Sequence, residues 1–325
     1  MRVLLTTTSF QDTPGSFHDL LASTGYELIR QRGPLPEARM LELVGDVDGL
    51  LCGDDAITRA VLQKAVPRLK VISKYGIGLD KIDLQAATDL KIPVCFTPGV
   101  NHTAVAEQTF LLLLALEKNF LYAVDGTRQG QWKRKTGREI MGKTIGIVGL
   151  GRIGKEVALR ARAFGMTTIA YDIHWDAEFA SAHGVQRAAT LDDIFAAADY
   201  ISLHANLTPQ TRGLISAASI AKMKKGVILL NCARGEIVNA SDLLAALRSG
   251  RVGGYGADVL DQEPPPPDHP LLREPNCIIT PHISSRTFES VQRQATMSVK
   301  NLIAVLDGQK PPAQANPEVP IRKMA

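Results

Sequence analysis

Three glycines and an aspartate are the first residues of this chain whose spacing can do chemistry. Gly149-Leu-Gly-Arg-Ile-Gly154 follows the apolar run Thr144–Val148 and opens a helical stretch over residues 152–164. Strand, glycine turn and helix in that order make an anion cradle. The first glycine permits the tight turn, the second lets the backbone approach a pyrophosphate, and the third lets the helix pack on the strand. Asp172 ends the next apolar run, Thr167–Tyr171, 21 residues after Gly151. A carboxylate there accepts both ribose hydroxyls of NAD and repels the 2′-phosphate of NADP. The spacing predicts a dinucleotide site that prefers NAD.

Such a site needs a parallel sheet behind it, and the chain is patterned to build one. Short aliphatic runs at 2–6, 49–52, 70–74 and 93–96 read as strands, with helices at 19–30, 58–65 and 83–90. A second series begins at Lys143, with strands at 144–148, 167–171, 200–204, 226–231, 255–259 and 277–280 and helices at 152–164, 216–223 and 241–249. This alternation predicts α/β layers with helices on both faces of parallel sheets. Between the series lies 102–119, apolar on almost all sides and therefore a helix that must be covered all round.

Composition narrows the function classes. With 37 Lys and Arg against 33 Asp and Glu, the net charge is +4, and no long basic run offers a nucleic-acid footprint. The longest uninterrupted aliphatic stretch, 110–116, is far short of the roughly 20 residues that span a bilayer. The N-terminus reads as a first strand rather than a signal peptide, so a cytoplasmic protein is expected. Cys52, Cys95, Cys232 and Cys277 form no CxxC pair, which argues for reduced structural thiols and no metal site. Beyond Pro311 the chain reads as a surface strap or frayed end.

Several motifs in order resemble one family, the D-isomer-specific 2-hydroxyacid dehydrogenases. They are Lys74-Tyr-Gly-Ile-Gly-Leu-Asp80, Val105-Ala-Glu107, Gly149–Gly154, Asn231-Cys-Ala-Arg-Gly235, Gly256-Ala-Asp-Val-Leu-Asp-Gln-Glu-Pro264 and Thr280-Pro-His282. The resemblance implies two doubly wound parallel-sheet domains. A Rossmann NAD-binding domain, 100–284, is inserted into a flavodoxin-like substrate domain made of 1–99 and 285–325, with a cleft between them. Helix 102–119 would then pack against a partner subunit of a homodimer.

The resemblance also implies roles. Arg234 would fork onto the carboxylate of a 2-keto acid and polarise its carbonyl. His282 would exchange the proton as hydride moves, and Glu263 would hold its other ring nitrogen, with His269 as the rival histidine. Arg152 and Ile153 would lie along the pyrophosphate and Asp258 on the nicotinamide side, while Ala205, Cys232, Ala233, Ser284 and Ser285 would line the cofactor cleft. Lys74, Tyr75, Gly76, Ile77 and Gly78 would meet the substrate, the 75–78 amides as a carboxylate nest. One departure stands out: Ser284-Ser285 occupies the place where sequences of this family usually carry Gly-Gly or Gly-Ala. Lys74 and Arg286 as two cations favour 3-phosphoglycerate as substrate, with hydroxypyruvate or glyoxylate as the other choice. The alternative function on the same fold is an NAD(H)-sensing, non-catalytic regulator.

Overall fold

Aliphatic strands separated by helices can bury both sheet faces only if they run parallel and the chain crosses back over each face. The computed structural model describes residues 1–321 and contains two such sheets. They belong to two compact units, 1–101 with 286–321, and 102–285.

The first unit holds β1 (Arg2–Leu5), β2 (Glu27–Arg30), β3 (Gly49–Cys52), β4 (Val71–Lys74) and β5 (Val94–Cys95), in the order β2-β1-β3-β4-β5. All pairs are parallel. Side chains alternate between two cores: Leu4, Leu50 and Ile72 enter one, Val3, Leu5, Leu51 and Val71 the other. The helix Phe288–Leu306 closes the second core with Val291, Ala295, Val299 and Leu302. Ser73 Oγ donates to the Ser298 carbonyl at 2.7 Å and Asn301 Nδ2 to that of Phe96 at 2.9 Å. The expected strap is present from Pro311 to residue 321, where the Ala315 amide donates to Val94 O at 2.7 Å; residues 322–325 lie outside the described residues.

The second unit holds β6 (Thr144–Val148), β7 (Thr167–Tyr171), β8 (Gln186–Arg187), β9 (Tyr200–Leu203), β10 (Val227–Asn231), β11 (Val252–Ala257) and β12 (Cys277–Ile279). Their order is β12-β11-β10-β9-β6-β7-β8, again all parallel. The chain order reverses at β6, which lies between β7 and β9, and a doubly wound sheet takes its ligand at that switch point. The helix His102–Glu117 belongs to this unit, with Phe110 stacked on Phe164 at 5.3 Å and Glu117 accepting the Tyr200 hydroxyl at 2.9 Å.

Some elements differ from the sequence reading. The expected helix 19–30 is a shorter helix, Phe17–Ala22, a left-handed Gly25 at φ +67° and then β2, because pairing to β1 recruits 27–30 into the sheet. β11 begins three residues earlier than expected, since pairing with β10 draws in Val252 and Gly254 despite the weak strand preference of glycine, with a register shift that leaves Gly253 between them unpaired on β10. The expected helix 216–223 shrinks to Ala217–Ile220. The helices Glu37–Leu43 and Phe288–Leu306 have no counterpart in that reading. Among the described residues no helix is long and apolar enough to cross a membrane, and all four cysteines are free thiols.

Candidate active site

The glycine turn sits at the carboxyl end of β6, and its three glycines are held for different reasons. Gly149 has φ +98°, and a Cβ there would lie 2.7 Å from His204 O; at Gly154 it would lie 2.1 Å from Gly149 O. Gly151 caps the helix Arg152–Ala163 with an ordinary φ of −72°, and a Cβ there would meet nothing within 4 Å. The protein therefore leaves the space above Gly151 open. Arg152 is exposed beside it, and Ile153 is half-buried against the apolar core.

Asp172 closes the turn from the end of β7. Its Oδ2 accepts the Leu150 amide at 2.6 Å and its Oδ1 the His174 amide at 2.7 Å. Each carboxylate oxygen offers two lone pairs, so both retain acceptor capacity for a diol. An open backbone cradle beside an oriented carboxylate fits a dinucleotide. Below the turn, the His204 amide donates to Val148 O at 2.8 Å, which places Ala205 next to Gly149. Burial pushes the His204 imidazole down to about 3, so the ring is neutral, in contact with Ser202 Oγ at 2.7 Å.

Arg234 stands at the carboxyl end of β10 on a turn held by Asn231. Asn231 Oδ1 accepts the Ala233 amide at 3.0 Å, and its Nδ2 donates to Arg234 O at 2.9 Å and to the Tyr255 hydroxyl at 3.3 Å. The Arg234 guanidinium donates to Ala233 O at 2.9 Å. Gly235 then touches the Leu260-Asp261 backbone so closely that a Cβ would sit 1.9 Å from Leu260 C. That contact joins the Arg234 turn to the loop bearing Glu263. Glu263 Oε1 accepts the Leu260 amide at 3.0 Å, and its Oε2 faces His282 Nδ1 at 2.7 Å. His269 lies 7% exposed with Nε2 on Asp261 Oδ1 at 3.2 Å, tied into the proline loop.

Asp258, just beyond β11, is 1% exposed and collects the turn around His282. Its Oδ1 accepts Thr280 Oγ1 at 2.5 Å and the Ile283 amide at 2.9 Å; its Oδ2 accepts the Ser284 amide at 2.6 Å and the Ser284 hydroxyl. Cys232 has its thiol beside the Thr109 and Ser284 hydroxyls, and burial pushes it up to about 12, so it is protonated. Asn231, Thr280 and Tyr255 were given no role in the sequence reading; Asn231 and Thr280 open two of the motifs that carry the resemblance, and both stand at strand ends, where side chains cap turns.

The 74–78 loop belongs to the first unit. Lys74 is 3% exposed at its side chain and paired with Asp54 Oδ1 at 2.8 Å. The Tyr75 amide donates to Cys52 O at 2.8 Å and the Gly76 amide to Thr97 Oγ1 at 2.9 Å. Two of the four expected nest amides are thus engaged; among the described residues the Ile77 and Gly78 amides have no protein acceptor. Arg286 is bound to Asp12 Oδ2 at 2.6 Å, and Arg32 grips both oxygens of the same carboxylate at 2.7 and 2.9 Å.

A seven-stranded sheet of this order, with its glycine turn and oriented carboxylate, defines the dinucleotide-binding class of α/β proteins. The family model described as D-isomer specific 2-hydroxyacid dehydrogenase, NAD binding domain, matches residues 110–284. A glyoxylate reductase of Thermofilum pendens is 42% identical over 88% of this chain and 86% of its own length. A D-3-phosphoglycerate dehydrogenase of Methanocaldococcus jannaschii is 39% identical over 89% of this chain, which spans only 56% of that relative. The crystal structure of TT0316 protein from Thermus thermophilus superposes with a TM-score of 0.88 at 40% identity, covering 97% of this chain and all of that one. The chain belongs to the D-isomer-specific 2-hydroxyacid dehydrogenase family and is an NAD-dependent enzyme acting on CH–OH donors.

Proposed function

We propose that this enzyme interconverts a small, unphosphorylated 2-keto acid and its D-2-hydroxy acid, of the glyoxylate or hydroxypyruvate type. The observation that carries the reaction is the His282 Nδ1 to Glu263 Oε2 contact of 2.7 Å, on the same unit as the tethered Arg234 turn. Glu263 fixes the imidazole so that Nε2 is the nitrogen that gives or takes the proton of the substrate oxygen. Arg234 presents a planar fork to the substrate carboxylate and draws electron density from the adjacent carbonyl. The Gly149–Gly154 turn and Asp172 would hold NADH, which when bound supplies the hydride.

Support for an unphosphorylated acid comes from the two cations that could have met a phosphate. Lys74 is neutralised by Asp54, and Arg286 shares Asp12 with Arg32. A phosphate would have to compete with an ion pair that each cation has already made. The exposed apolar side chains Leu111, Phe120, Leu121, Tyr122 and Trp132 of the second unit support a homodimer, since a two-fold interface can cover such residues on both copies at once.

The test is kcat/KM for glyoxylate, hydroxypyruvate and phosphohydroxypyruvate with NADH. A phosphorylated substrate favoured by more than about tenfold, worth about 1.4 kcal/mol, would overturn the substrate class. His282→Ala is expected to lower kcat by about 10²- to 10⁴-fold; near-normal turnover would remove His282 from the proton-transfer role.

A further inference from the structure

The turn that carries His282 is strained, and Asp258 gathers it. His282 has φ +52°, the left-handed region that a residue with a Cβ occupies only under constraint. Its amide donates to Asp258 O at 2.9 Å and to Thr280 O at 3.0 Å. The Asp258 carboxylate then receives four donors from the same turn: Thr280 Oγ1, the Ile283 and Ser284 amides, and the Ser284 hydroxyl. A carboxylate has about four lone-pair sites, so this one is filled. Gln108 Nε2, from the helix His102–Glu117, adds a 3.0 Å bond to Thr280 Oγ1.

Two of the four donors are amides that any sequence supplies. The other two are hydroxyls, and Ser284 stands where the family pattern has glycine. We infer that the Ser284 hydroxyl is a positioning group for His282, completing the Asp258 clamp that keeps the histidine in its left-handed conformation. The inference rests on the reading of His282 as the proton donor. Without the hydroxyl, Oδ2 retains one donor on a residue that is only 1% exposed. A buried carboxylate short of a partner pulls its surroundings toward better satisfaction. The part free to respond is the strained turn, and relaxation there shifts His282 Nε2 away from the substrate oxygen.

The experiment compares wild type, Ser284→Ala and Ser284→Thr in NADH-dependent reduction of the best keto acid. For Ser284→Ala we expect kcat to fall about tenfold, while KM for the acid and Kd for NADH change less than twofold. The solvent deuterium isotope effect on kcat should rise, because proton transfer becomes slower relative to the other steps. Ser284→Thr, which keeps the hydroxyl, should recover kcat to within about threefold. Should the alanine variant not fold, Ser284→Cys keeps the volume with a weaker donor and should show an intermediate loss. Unchanged kcat, or a loss confined to NADH affinity or to melting temperature, would overturn the positioning role. That failure is distinct from failure of the underlying reading, which would show as near-normal turnover in His282→Ala.

Discussion

Replacing Gly151 with alanine separates what the glycine turn does for the fold from what it does for the cofactor. The φ of −72° is open to alanine, and the new Cβ meets no atom within 4 Å. Restricting the unfolded chain favours alanine by about 0.4–1 kcal/mol, and the poorer helix cap costs a similar amount, about 0.5–1 kcal/mol. The two nearly cancel, so the melting temperature should stay within about 4 °C of wild type. Cofactor binding should behave differently. A methyl group over the cradle denies a pyrophosphate its approach to the helix N-terminus. Losing two charge-assisted hydrogen bonds of about 1.5–3 kcal/mol each raises Kd at least about 10²-fold. Thermal unfolding followed by circular dichroism and titration with NADH, read by fluorescence, give the two numbers on one sample. Gly154→Ala is the contrasting control: its Cβ would fall 2.1 Å from Gly149 O, so it should fail on stability first. If Gly151→Ala bound NADH within about threefold of wild type while keeping its melting temperature, the open space would have no bearing on the cofactor.

Asp172 should set cofactor choice: wild type should prefer NADH over NADPH by at least about tenfold in kcat/KM, and Asp172→Ser should bring the two within about threefold, because the like-charge contact is gone. The acid limb of stability should depend on Asp12, whose carboxyl is held at about 2 rather than 3.8 by hydrogen bonds from Arg32 and Arg286. A depressed folded-state value means the contribution is complete above pH 4 and fades as pH falls toward 2. Asp12→Asn should therefore lower urea midpoints at pH 6 but converge with wild type near pH 2. Trp132→Glu, at a side chain 79% exposed, should shift sedimentation toward monomer at micromolar concentration if the second unit's apolar patch is the dimer face; an unmoved dimer would place the interface elsewhere.

Much of the fold could be read locally because its strands are buried runs bounded by turns. β6 and β7 fall on the residues expected from their aliphatic pattern. β2 was hidden because it is an edge strand with exposed ends, Glu27 and Arg30, and only its pairing to β1 makes it a strand. The helix Phe288–Leu306 was hidden for another reason. Its buried face includes Ser290, Gln294, Ser298 and Asn301, so the apolar period of 3.6 is diluted by polar residues that bond inside the unit. The glycine turn and Asp172 are local signals, and the structure brings them together through Leu150. The Asp258 clamp is not local: its donors come from 22 to 26 residues further on, and only the fold shows that one carboxylate gathers them.

The return of the chain to the first unit sets an order of events during synthesis. Residues 1–101 leave the ribosome before the inserted unit, yet their second core lacks Val291, Ala295, Val299 and Leu302 until the helix Phe288–Leu306 has followed. Roughly 180 residues intervene, about 10–40 s of elongation. The inserted unit 102–285 has a sheet made wholly from its own strands and can form within that interval. Nascent chains stalled before residue 286 should then carry a protease-resistant middle and a protease-sensitive beginning, the reverse of the order in which they were made.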